Sequence, residues 1–219
     1  MAKHLSVRGE HLRRALAQEA ARLMAEHGIH DFLTAKRKAA ERFGVTDGGL
    51  LPRNTEIEDA LAEYQRLFGG NSYTRSLEER RRAALTAMRR LSAFSPRLVG
   101  PVLSGTATRH CDVQLHLFAE RSEDVTLWFM DQGIRHELVT RRVKMNPERV
   151  LEQPGVRFEV DEIPVDATVF PTDGIRQAPA SPVDGRPMRR ADALEVEAML
   201  ALHPIDMPMP PLRAMARHS

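Results

Sequence analysis

A single cysteine, Cys111, stands in a chain of 219 residues. It excludes an internal disulfide framework and a zinc site built from several cysteines. Aromatic residues make up only 5% of the chain. None is interleaved among the arginines of its most basic segment, 75–94, which weakens the case for a stacking platform for single-stranded nucleic acid there. Charge of one sign is also lacking. Lys plus Arg number 32 against 30 Asp plus Glu, a formal net charge of +2, which does not by itself imply nucleic-acid binding. No apolar run approaches the roughly 18 residues that a membrane span needs. The opening MAKHLSVRGEHLRR has no apolar stretch of the signal-peptide kind, so a reducing, cytoplasmic compartment is expected. The phosphate-loop and dinucleotide glycine patterns, the H-E-x-x-H zinc pattern and the G-x-S-x-G nucleophile elbow do not occur.

What is present begins with helical periodicity. In 10–28, Leu12, Leu16, Ala20, Leu23 and Met24 recur at helical spacing, and Gly28 fits a stop. A second helix, 30–44, closes on Gly44. The turn-rich 45–54 leads to a third helix that runs from Asn54 to Phe68, with Glu56 and Glu58 where the helix dipole favours acid. The stretch 69-GGNS-72 is expected to end it. Residues 1–72 thus read as a helical module. A fourth helix, 75–94, carries Arg75, Arg80, Arg81, Arg82, Arg89 and Arg90 around an apolar stripe, and Pro96 ends it.

Residues 73–171 form the next unit, and from 97 the period changes. Leu98–Leu103 is a strand candidate. Val113–Phe118 alternates cleanly, with Val113, Leu115 and Leu117 on one face and Asp112, Gln114 and His116 on the other. A helix over 122–132, capped by Ser122, precedes a strand over 134–145. A hairpin follows, Val156–Val160 and Val165–Phe170, turning near Asp161–Pro164. Residues 172–219 are a loop, a last helix over 191–202 and a Pro/Met-rich end over 204–219. If the loop is ordered, Arg186, Arg189 and Arg190 can close over an anion. The fold class expected is α+β, a small mixed sheet flanked by helices and preceded by the helical module.

One constellation carries chemistry. The turn 104–110 has small residues whose backbone can approach an anion, and Arg109 and His110 add charge. Asp112 follows at once. Asp166 sits on the hairpin, and if that strand lies beside 113–118 the two carboxylates converge. Such a pair at a phosphate-holding turn suits Mg²⁺, which takes hard oxygens and shares its ligands with substrate phosphate. His116 reads more simply as a surface or packing histidine than as a ligand. Cys111 and His110 are neighbours whose side chains diverge on a strand.

The stretches 104-SGT-106, 112-DVQLHLF-118 and 165-VDATVF-170 together resemble the nucleotidyltransferase fold, the polymerase beta-like superfamily, over Leu98 to Phe170. The resemblance implies an Mg²⁺-dependent nucleotide transfer to a hydroxyl on RNA, protein or a small molecule. It implies that Gly105 and Thr106, with Ser104, bind the triphosphate, and that Asp112 holds metal. Asp166 would help to hold metal or activate the hydroxyl. Arg109, Arg141, Arg142 and Lys144 are the phosphate partners expected. Gln114 replaces the second carboxylate of the family's Asp-x-Asp pair, and an amide brings no charge to a cation. Two alternatives therefore stand beside transfer: a catalytically inactive nucleotide- or RNA-binding module of the same fold, with RNA on helix 75–94, and a scaffold whose helices 9–70 dock a protein.

Overall fold

The computed structural model describes residues 7–146 and 148–202. The Pro/Met-rich end, 204–219, lies outside the described residues. Three helices come first: α1 (Val7–His27), α2 (Phe32–Phe43) and α3 (Asn54–Tyr64). Local chemistry sets their ends. The Asp31 carboxylate caps α2 by accepting from the Thr34 amide at 2.7 Å, and Gly44, at φ 65°, turns the chain out of it. Leu16, Ala20 and Met24 of α1 pack with Ala35 and Ala39 of α2 and Ile57 and Leu61 of α3 into a core of their own. The alanines let the helix axes approach closely.

The expected stop at 69-GGNS-72 falls at Gly70, whose φ of 53° and ψ of −158° break the helical run, but no loop follows it. A wider helical turn over Gln65–Gly69 passes directly into α4 (Gly70–Arg90), and the axis changes direction at Gly70, φ 53°. The expected strand Leu98–Leu103 is also corrected. Only Arg97–Val99 is strand (β1), and Gly100–Ser104 is a short helix, α5. Gly100 at φ 72° breaks the extended chain, and Pro101 then starts a helix well because it needs no amide partner in the first turn.

The remaining strands are β2 (Val113–Ala119), β3 (His136–Lys144), β4 (Val150–Val160) and β5 (Ile163–Pro171). Helix α6 (Ser122–Asp131) lies between β2 and β3, and α7 (Ala193–Leu202) follows β5. Arg121, not Ser122, holds the cap position of α6, without a side-chain bond. Strand β4 starts earlier than Val156. Its first half pairs only with β3, because pairing with β5 begins at Gly155. Pro154 sits at that boundary, where a missing amide is tolerated. The β4–β5 turn is two residues, Asp161 and Glu162, both at positive φ.

The strands form one mixed sheet in the order β1-β2-β5-β4-β3, in which only β2 and β5 are parallel. The molecule is thus α+β, a five-stranded mixed sheet flanked by helices with a helical region before it. The apolar face carries Val113, Leu115, Leu117, Val156, Phe158, Val165 and Ala167. It packs on Ala84, Leu85 and Met88 of α4 and on Val125 and Phe129 of α6. The polar face looks toward α1–α3 and the segment 177–190. Among the described residues no helix is long and apolar enough to cross a membrane.

Candidate functional site

The parallel pairing of β2 with β5 settles what alternation alone left open. It sets Gln114 opposite Asp166, and the antiparallel β4 sets Arg157 opposite Asp166 on its other side. Asp112, two residues before Gln114, shares that face. Here Asp112 Oδ2 accepts from Arg157 Nη2 at 2.5 Å. Asp166 accepts from Arg141 at both oxygens, Nε to Oδ1 at 3.1 Å and Nη2 to Oδ2. Across the sheet the two carboxylates come first, Asp112 just before β2 and Asp166 on β5, then the two guanidiniums, Arg157 on β4 and Arg141 on β3, so each arginine reaches past a neighbouring strand to its partner. The fork of Arg141 matches a carboxylate edge-on, and the hydrogen bond to Asp166 raises the pKa of the Arg141 guanidinium above its ordinary value.

All five residues of this patch line a cleft of about 900 Å³ between the sheet, the first three helices and the segment 177–190. Its charged lining comprises Asp31, Glu58, Asp59, Asp112, Asp166 and Asp184 against Arg141, Arg157 and Arg189. The cleft is therefore acidic, although the chain as a whole is nearly neutral. Burial raises the pKa of the Glu58 carboxyl, and the charges of Asp59 and Asp184 raise it further; the Ser104 and Thr106 hydroxyls offset part of the rise.

The turn 104–106 is the end of α5. Gly105, at φ 81°, is its left-handed cap. The amides of Gly105 and Thr106 both donate to the Pro101 carbonyl, at 2.9 and 3.0 Å, so these N–H groups are engaged in the helix end. What Ser104 and Thr106 present to the cleft is a hydroxyl pair 2.8 Å apart. The Gly105 carbonyl accepts from the Tyr73 hydroxyl, whose pKa burial pushes up to about 12. At this end of the cleft the glycine that meets the sheet is Gly100. It follows β1 directly, lines the cleft, and lies so close to the Gln114 amide that a Cβ would collide with it.

The structure places Arg109 away from the cleft. Its guanidinium bonds His110 and the Glu26 carbonyl, tying the 105–112 loop to α1. Lys144 lies at the far end of β3, opposite Val150, and its carbonyl accepts from Ala180. Arg142 faces away from Arg141 on the same strand. Cys111 is buried, with its sulfur beside the Thr108 amide at 3.3 Å and His30 Nδ1 at 3.8 Å. Arg157 is the residue that the reading of single segments passed over. Alternation in 156-VRFEV-160 already set it on the polar face. Glu58, Asp59 and Asp184 carried no such signal, because only the fold brings α3 and the segment 177–190 to the sheet. No family model, no curated protein and no solved structure matches this chain.

Proposed function

We propose that the chain is a divergent nucleotidyltransferase-like protein that binds a nucleoside triphosphate with Mg²⁺ in this cleft and transfers a nucleotidyl group to a hydroxyl. The observation that carries the proposal is the pairing of β2 with β5, which puts Asp112 and Asp166 on one face of one cleft. The donor set fits a hard cation: two carboxylates and the Gln114 amide oxygen, with room for water and substrate oxygens. Among the described residues no group of three His, Cys, Asp or Glu side chains forms a metal cage, so phosphate oxygens and water would complete the shell. When bound, the ion would supply positive charge against the phosphates. Asp112 and Asp166 would hold it; as the acceptor hydroxyl attacked the α-phosphorus its proton would pass to Asp166, and the bond to pyrophosphate would break, pyrophosphate leaving. Arg141 and Arg157, which neutralise the carboxylates, are the cations nearest a phosphate seated there, and fixed positive groups are what phosphoryl chemistry needs. The acidic lining supports entry of the triphosphate together with its cation, since a bare polyanion meets net repulsion.

Gln114 and the arginine pairing also support a second reading, nucleotide binding without turnover. An external RNA contact on α4 has less to draw on than the arginine count suggests. Arg80 donates to the Cys111 and Arg109 carbonyls and Arg81 to the Val102 carbonyl, while Arg82 and Arg89 pair with Glu78 and Glu197. A protein partner on α1–α3 belongs to the scaffold reading and predicts no nucleotide effect.

The test is transfer of label from α-labelled ATP, CTP, GTP and UTP, with Mg²⁺ or Mn²⁺, onto total RNA and protein, beside Asp112→Ala. Label that appears with the parent and not with the variant supports transfer and names the acceptor class. Nucleotide binding with no label moves the assignment to the inactive module.

A further inference from the structure

The two edges of the sheet end differently. At β1, Leu98 exchanges two backbone bonds with Ala191, at 2.8 and 3.0 Å, so the segment before α7 closes that edge. At the other edge lies β3, with β4 on one side of it. The hairpin settles which of its backbone groups point outward. The two-residue turn at Asp161 and Glu162 makes Val160 and Ile163 the closing bonded pair of β4 and β5. Even-numbered residues of β4 therefore bond β5, and odd-numbered ones bond the odd-numbered residues of β3. Pro154 agrees, since its missing amide faces away from β3. Met145 continues the bonded series by donating to the Arg149 carbonyl at 2.8 Å. The backbone groups of His136, Leu138, Thr140, Arg142 and Lys144 thus point out of the sheet. The strap 177–190, along one side of the cleft, takes the last of these: the Ala180 amide donates to the Lys144 carbonyl at 2.8 Å. Among the described residues, the outward backbone groups of His136, Leu138, Thr140 and Arg142 have no backbone partner.

A row of open amides and carbonyls is a template for another strand. Proteins block such edges with proline, a bulge or a covering element; 136–144 contains no proline, and its pairing to β4 runs without a bulge. We propose that β3 pairs antiparallel with β3 of a second copy of this chain, about a two-fold axis at Val139, to join the two sheets into one. This register uses the four open residues and no others. His136 faces Arg142 and Leu138 faces Thr140, for about eight backbone bonds in all. A register centred on Thr140 would need the Lys144 carbonyl that the strap occupies.

The side chains suit the register that the backbone fixes, and they select a second copy over an unrelated strand. Val139 meets Val139 of the second copy, and Glu137 meets Arg141 twice over, once on each side of the axis. Both are non-bonded pairs, in which facing side chains come closest. Arg141 holds Asp166 through Nε and Nη2, so the carboxylate of the second copy reaches it from the open side, at the rim of the cleft. On the other face Leu138 is 61% exposed in the single chain. Across the axis it gains the Leu138 of the second copy as a diagonal neighbour.

Sedimentation of the full chain from micromolar to sub-millimolar concentration should show a reversible dimer, a weak one because the interface is a single strand wide. Thr140→Pro removes an outward amide opposite Pro154 and spares the bonds to β4. It should keep the melting temperature within about 2 °C of the parent at dilution and weaken the dimer by about tenfold or more. Leu138→Lys, at an exposed side chain, should weaken it likewise and serves if Thr140→Pro fails to fold. Val139→Cys should form an intermolecular disulfide under mild oxidation, because facing Cα atoms in a non-bonded pair lie about 4.5 Å apart, within disulfide reach. Val143→Cys, on the same face but far from the axis, should not. A parent that stays monomeric throughout the range overturns the proposal and leaves the edge to another strand. A dimer that both Leu138→Lys and a folded Thr140→Pro leave intact, or equal cross-linking at 139 and 143, overturns it as well. No nucleotide enters the test, so its outcome is independent of the nucleotide reading.

Discussion

His116 is buried beneath the Arg190 guanidinium, and burial first, then that positive charge, pushes its pKa from 6.5 down to about 3. The folded protein therefore keeps it neutral while the unfolded chain takes up a proton first. Stability from this group is complete above pH 6.5 and declines as pH falls from there toward 3, by up to about 1.4 kcal/mol per pH unit. Urea unfolding at pH 7, 6 and 5 should show that slope, and His116→Gln, which keeps an acceptor for Arg190, should flatten it. Asp112 is a different case. Its partner Arg157 is 45% exposed, so Asp112→Ala should cost less than about 1 kcal/mol in stability. It should nonetheless abolish Mg²⁺-dependent nucleotide effects. A large drop in melting temperature for that variant would mark the pair as structural. Gln114→Glu restores a carboxylate directly opposite Asp166. It should raise the response of nucleotide binding to Mg²⁺ several-fold, as read by titration, and an unchanged response would remove Gln114 from the site.

At the scale of elements, the cleft depends on two glycines that meet the sheet. Gly100 ends β1 and starts α5 at positive φ, with the Gln114 amide packed where a Cβ would be. Gly155 lies where β4 crosses from pairing with β3 alone to pairing with both neighbours. A Cβ there meets the Ala167 carbonyl oxygen at 2.9 Å and Val139 Cγ2 at 3.1 Å. Backbone cannot yield cheaply, so Gly155→Ala should destabilise by about 1–3 kcal/mol. It should also displace the arm formed by β3 and the first half of β4, which carries Arg141, weakening nucleotide binding as well as shifting the urea midpoint. A stability loss with binding intact would show that the arm does not place Arg141.

Across the whole molecule, two cores meet at the cleft. One belongs to α1–α3, the other to the sheet with α4, α6 and α7. Asn54 joins the first to the strap, and Arg109 joins it to the loop before β2. The acid of the cleft comes from both sides, with Glu58 and Asp59 on α3 and Asp112 and Asp166 on or next to the sheet. Removal of divalent cations should therefore weaken ATP binding more than tenfold, since the carboxylates then face the phosphates uncompensated. Thermal shift with ATP, in Mg²⁺ and in EDTA, measures this. Equal shifts in the two buffers would argue that arginines alone hold the ligand.

The amphipathic helices, the alternation of 113–118 and the turn before Pro164 were legible in the sequence because each depends on a local period or a local cap. So was the common face of Asp112 and Gln114, two residues apart on one chain segment. The place where β1 gives way to α5 was less legible, because an apolar run reads as a strand until the positive φ of Gly100 is known. Pairing is a contact between distant segments, and no local pattern encodes it. Only the tertiary structure placed Asp166 beside Gln114, gave each carboxylate an arginine from another strand, and brought Glu58 from α3 and Arg189 from the strap to the same cleft. The sequence determined which side chains share a face; burial of the apolar face in one register decided which faces share a site.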